Sequence, residues 1–141
     1  MRNEKLSYIL RNINLANCEH LCSNIYYTRM IVKQMIFNPN VQDEEPYYTE
    51  CEFLVVADEG VKKAIIYNCG NIDLHWYTFQ KWRKQGVLSN ALRTGIIKKI
   101  WPKIKTVTCC YDWNENKEEK YSMTKHLASL AGLGISEDRT I

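Results

Sequence analysis

Between Tyr48 and Gln80 the chain carries three strand patterns in quick succession, and nothing else in it constrains the fold as strongly. Tyr48–Ala57 is rich in β-branched and aromatic residues, Asp58-Glu59-Gly60 is a turn signal, and Val61–Asn68 returns as the second arm of a hairpin. Cys69-Gly70-Asn71 turns the chain once more into Ile72–Gln80. Period-two spacing puts Ile72, Leu74, Trp76 and Thr78 on one face of that third strand, and Asp73, His75, Tyr77 and Phe79 on the other. The pattern is an antiparallel meander.

After the meander the period changes. Leu88, Ala91, Leu92, Gly95, Ile96, Ile97 and Ile100 recur at helical spacing, with Arg93, Lys98 and Lys99 on the wetter side, and Trp101-Pro102 ends the helix. Thr106–Asp112 reads as a strand, Asp112–Asn116 as a polar loop, and Glu118–Ala131 as a helix stopped by Gly132. Upstream, Leu6–Leu10 reads as a short first strand and Leu15–Phe37 as helical, ended by Asn38-Pro39-Asn40. Residues 40–47 form an acidic loop with Pro46. The expected fold is α+β: a mixed, mostly antiparallel central sheet with helices on both faces, in a single domain 1–141 with no internal repeat.

The 141 residues suffice for one core. No apolar run approaches the roughly 20 residues that span a bilayer. Arg2, Glu4, Lys5, Arg11 and Asn12 interrupt any signal-peptide pattern, so the expectation is a cytoplasmic protein with no membrane partner. The six cysteines, Cys18, Cys22, Cys51, Cys69, Cys109 and Cys110, are too sparse for a disulfide scaffold and read as reduced thiols. In Cys18-Glu19-His20-Leu21-Cys22 a helical spacing would put two thiols on one face, but no second ligand pair accompanies them. That stretch reads as helix packing, with no metal.

Charge is unevenly distributed. Lys81 to Lys105 holds Lys81, Arg83, Lys84, Arg93, Lys98, Lys99, Lys103 and Lys105 with no acidic residue, whereas Asp43, Glu44, Glu45, Glu50 and Glu52 cluster upstream. The basic segment calls for an anion, a phosphorylated cofactor or nucleic acid. Trp82 and Trp101 would supply stacking surfaces for a nucleic acid, but the net charge of +3 is small for a dedicated binder.

The basic segment begins where the third strand meets a helix, at Thr78-Phe79-Gln80-Lys81-Trp82-Arg83-Lys84-Gln85-Gly86-Val87-Leu88-Ser89-Asn90. Free amides at a helix start, a glycine and nearby cations together make a phosphate cradle. The same residues also suit a solvated basic turn capped by Ser89 or Asn90.

Arg83-Lys84-Gln85-Gly86-Val87-Leu88-Ser89-Asn90-Ala91-Leu92 resembles the acetyl-coenzyme A loop of the GNAT superfamily of N-acetyltransferases. Arg83 and Gly86 match that pattern, while Leu88 stands where the family has a second small residue. The order of elements from about residue 48 to residue 133 agrees with the family. Asn114 or Asn116 matches the asparagine after its later strand, and Leu127–Leu133 is similar to its terminal leucine- and glycine-bearing segment.

The resemblance implies that amides of Gln85, Gly86, Val87, Leu88, Ser89 and Asn90 hold the diphosphate of acetyl-coenzyme A, with Arg83 and Lys84 adding charge and Asn116 contributing. The pantetheine arm would run beside Thr78, Phe79 and Gln80, where the strand splays from Thr106–Asp112, and a backbone N–H near Phe79 would stabilise the oxyanion. The acetyl group would pass to a primary amine, either a small molecule or a peptide. The family tyrosine that protonates the leaving thiolate corresponds to Ala128, leaving Tyr121 as a substitute. Asp73 and His75 are candidates for the base, His75 equally reading as a surface histidine, and Glu50 and Glu52 for attracting a cationic acceptor. Leu133–Ile141 leaves room for one strand, a shortened C-terminus that leaves the acceptor site open or that a homodimer partner would complete. The competing expectations are a coenzyme A-binding module without catalysis and a nucleic-acid-binding α+β domain.

Overall fold

The computed structural model describes residues 3–34, 47–70, 73–109 and 116–137. A helix, α1 (Asn3–Asn12), and a short 3-10 turn (Leu15–Asn17) precede a hairpin, β1 (Glu19–Cys22) and β2 (Ile25–Gln34). The meander follows as β3 (Tyr47–Asp58), β4 (Val61–Asn68) and β5 (Asp73–Thr78). Two short helices, α2 (Val87–Leu92) and α3 (Ile96–Ile100), lead to β6 (Thr106–Cys109), α4 (Lys117–Ala131) and β7 (Gly134–Glu137).

The strands form one seven-stranded sheet in chain order, antiparallel from β1 to β5 and parallel from β5 through β6 to β7. The expected α+β class and mostly antiparallel sheet hold. Side chains of alternate parity feed two cores. Leu54, Val56, Ile66 and Leu74 pack under α2, α3 and α4, while Phe53, Val55, Ile65 and Tyr67 pack under α1. Helices therefore cover both faces. The β3–β4 turn has two residues at positive φ, Glu59 (51°) and Gly60 (79°), the backbone that matches the twist of a tight hairpin. At Gly95 (φ 77°) the expected single helix divides into α2 and α3.

The N-terminal third departs from expectation. Leu6–Leu10 is helix, because Leu6, Ile9, Leu10 and Ile13 follow an i, i+3, i+4, i+7 stripe that buries on the sheet. Within Leu15–Phe37 the described residues form the 3-10 turn and the β1–β2 hairpin. Ile25–Val32 is rich in β-branched and aromatic residues, whose side chains suit a pleated surface. The Cys18–Cys22 stretch is thus not a helix face, and no metal-ligating cluster occurs among the described residues.

The cysteines also need correction. Cys51 and Cys69 form a disulfide between β3 and the end of β4, with Cα atoms 4.1 Å apart. Cys18, Cys22 and Cys109 are free thiols. Phe37, the Asn38-Pro39-Asn40 break, the acidic loop up to Pro46, Asn71, Ile72, Cys110, Asp112 and Asn114 lie outside the described residues. No helix among the described residues is long and apolar enough to cross a membrane.

Candidate functional site

The parallel end of the sheet forks. β5 pairs with β4 from Tyr67↔His75 to Ala64↔Thr78, but it pairs with β6 only at Asp73↔Thr106 and Leu74↔Val107. Beyond Leu74 the two parallel strands diverge at their C-terminal ends. A cleft of about 390 Å³ opens beside the free arm of β5. Trp76, Tyr77 and Thr78 form one side, the 82–89 segment forms the lip, and α4 forms the opposite wall. The volume falls within the usual range for small-molecule sites.

The lip is shaped by backbone conformation. Lys84 (φ 61°) and Gly86 (φ 76°) both lie in the left-handed region, folding the chain from the 3-10 turn Gln80–Trp82 into α2. Gly86 caps α2 with no side-chain hydrogen bond, and the Asn90 N–H closes the first turn on the Gly86 carbonyl at 2.9 Å. Leu88, which departs from the expected small residue, turns into the core with Leu92 and Ile97 and is only 9% exposed. It also lines the cleft.

Two further contacts set the lip against its surroundings. The Arg83 Nε donates to the Thr78 carbonyl at 3.0 Å, and its guanidinium lies 5.6 Å from the Tyr77 ring centroid. Lys84 Nζ reaches Glu119 Oε1 on α4 at 4.0 Å, a solvent-exposed pair spanning lip and wall. On α4 the Asn116 side chain accepts from the Glu119 N–H at 3.2 Å, so Asn116 serves as the helix cap as well as a lining residue. Arg83, Lys84 and Lys120 outnumber the single lining carboxylate, Glu119, among the described residues. Apolar wall comes from Trp76, Val87, Leu88, Met123 and Leu127. The arrangement suits a ligand with an anionic end and a long, partly apolar arm.

Of the residues expected to hold a cofactor, Thr78, Arg83, Lys84, Gly86, Val87, Leu88, Ser89 and Asn116 line the cleft. Phe79, Gln80, Gln85 and Asn90 do not. Phe79 packs on the α1 face, and its own N–H donates to the Lys63 carbonyl at 3.0 Å, so among the amides near Phe79 that one is committed to β4. The Gln85 amide donates to the Lys81 carbonyl at 3.0 Å. Of the candidate bases, His75 does not join the cleft either. His75 stacks on Tyr67, which is buried in the α1-side core, at 5.3 Å between centroids. Asp73 enters through its backbone, in register with Thr106. Tyr121, on α4, is not among the lining residues.

Glu50 and Glu52 do not present a bare acidic face. Arg29 pairs with both, at 3.7 and 3.5 Å. Glu52 also accepts from the Tyr27 hydroxyl at 3.0 Å and from the Trp101 indole N–H. Burial pushes the Tyr27 phenol above its ordinary range. Trp101 is buried, so it offers no stacking surface, and Lys63 and Lys81 sit 4.4 and 5.1 Å from the Trp82 ring centroid. The nucleic-acid reading loses one of its two stacking residues.

Sequence reasoning missed Glu119, Lys120, Met123, Thr124 and His126 on α4, and Trp76 and Trp82 as walls. The α4 stripe was legible in outline. Lys120, Met123, Thr124 and Leu127 follow helical spacing, but no pattern in the chain says that this stripe faces a cleft. No protein-family model matches the chain, and neither a curated protein sequence nor a solved structure matches it.

Proposed function

We propose that the cleft binds acetyl-coenzyme A and that the chain is a small N-acetyltransferase of the GNAT type, passing the acetyl group to a primary amine. The fork between β5 and β6 is the observation that carries this reading. A strand freed from one neighbour offers backbone amides and carbonyls along an edge, and an extended arm bearing two amide groups pairs naturally with such an edge. Arg83 and Lys84 on the lip and Lys120 on the opposite wall favour phosphate charge, and Trp76, Val87 and Met123 suit the methylenes of the arm. Thioester aminolysis needs no cofactor chemistry beyond the activated acyl group, so positioning of the amine against the carbonyl supplies most of the rate.

A module that binds coenzyme A without catalysis is the second reading. It is favoured by two observations: the Phe79 N–H is engaged with Lys63, and buried Ala128 stands at the position of the family tyrosine. The sheet edge formed by β7 is where a second chain of the expected homodimer would add. Melting scans with acetyl-coenzyme A, followed by thiol release across a panel of small amines and peptides, separate the readings. Stabilisation with thiol release supports the enzyme, and stabilisation alone supports the module. No stabilisation at millimolar ligand removes both.

A further inference from the structure

Thr124 is the one buried polar residue among the described residues, 5% exposed, and it lines the cleft. It lies on α4 one helical turn before Ala128 and shares the cleft with the free arm of β5. Its hydroxyl accepts from the Cys109 thiol at 3.6 Å, and Cys109 stands at the end of β6 as described, 1% exposed. A buried hydroxyl whose partner is so weak a donor is an expensive group to place on an otherwise apolar floor. The other side-chain donors that line the cleft are more exposed: the Thr78 and Ser89 hydroxyls, Tyr77, the two indoles and Lys120 are half-buried, and the rest are open to solvent.

We propose that the Thr124 hydroxyl is the hydrogen-bond donor that meets the departing sulfur, an inference that rests on the coenzyme A reading. When the amine nitrogen bonds to the acetyl carbon, the carbon–sulfur bond breaks and its electron pair goes to sulfur. The proton shed by the nitrogen ends on that sulfur through solvent. Thr124 keeps its own proton and lends a hydrogen bond while the charge is on sulfur, in surroundings where water competes little. The Cys109 thiol occupies a lone pair of Oγ1 and so helps direct the hydroxyl hydrogen into the cleft. Cys109 is a positioning residue.

The test uses the full chain, acetyl-coenzyme A and a panel of primary amines, with binding by calorimetry and turnover by thiol release. Thr124→Val keeps the shape and removes the hydroxyl. The expected result is a kcat lowered about 100-fold, the usual scale for one lost donor, with KM and Kd for acetyl-coenzyme A unchanged. Thr124→Ser restores kcat, and Cys109→Ala lowers it less while leaving KM unchanged. Should the valine variant fail to fold, Thr124→Ala against Thr124→Ser carries the comparison. A valine or alanine variant that turns over like the parent overturns this inference and leaves the coenzyme A reading standing. Binding without thiol release from any amine also overturns it, because no thiolate then departs. Absence of binding by the parent chain removes both.

Discussion

Gly86 offers a clean test of how the lip of the cleft is built. It sits at φ 76° as the cap of α2, a conformation that an L side chain adopts only with strain. A Cβ there would meet Asn90 Nδ2 at 3.6 Å, ordinary van der Waals contact, so Gly86→Ala introduces no clash. What remains is the backbone term, about 1–2 kcal/mol for a non-glycine residue in the left-handed region. For a domain of this length that corresponds to a melting temperature lowered by about 3–6 °C. Gly134→Ala is the control. Gly134 lies at no positive φ, and its Cβ would sit 3.7 Å from the Lys105 carbonyl and 3.8 Å from the Thr106 methyl, so β7 accommodates it. Paired thermal and urea melts of the two variants decide the matter. If Gly86→Ala matches or exceeds the parent while Gly134→Ala behaves as expected, the left-handed turn at the lip is wrong.

Three other outcomes follow from the same structure. Leu92→Ala, at a fully buried position between α2 and the sheet, should cost about 2–5 kcal/mol in urea melts, the range for a large-to-small core change. Reducing the Cys51–Cys69 disulfide, or replacing both cysteines with alanine, should lower stability by about 3 kcal/mol, given a sequence separation of 18. For Tyr27 the folded-state phenol is raised above its unfolded value, chiefly by burial. Its contribution is therefore fully present below the unfolded value near pH 10 and lost as pH rises through the folded one, and Tyr27→Phe should show a shallower alkaline loss in urea melts above pH 10.

The meander was legible because β-branched and aromatic residues crowd its strands and Glu59-Gly60 marks the turn; β4 has the expected bounds and β3 differs by one residue at each end. The β1–β2 hairpin was not, because its turn, Ser23-Asn24, contains no glycine and puts Ser23 at positive φ (36°) instead. α1 was misread because Leu6, Tyr8 and Leu10 alternate over five residues, and the helical stripe shows only when Ile9 and Ile13 are counted with Leu6 and Leu10. The disulfide was hidden by a single residue. A hairpin continued regularly from Asp58↔Val61 would set Cys51 against Asn68, but the register slips between Val56 and Ala57, pairing Glu52 with Asn68 and bringing Cys51 beside Cys69. In the site, the lip was visible as a glycine among cations. Its far wall was not, because only the return of α4 over β6 brings Glu119, Lys120 and Thr124 to it.

The most direct test of the account is a titration of the isotopically labelled full chain with acetyl-coenzyme A, followed by amide chemical shifts. Shifts should concentrate at Trp76–Thr78, at Arg83–Ser89 and along Asn116–Leu127, with the α1 face unmoved. A saturating titration that leaves those amides in place, or that moves the α1 face instead, contradicts the account.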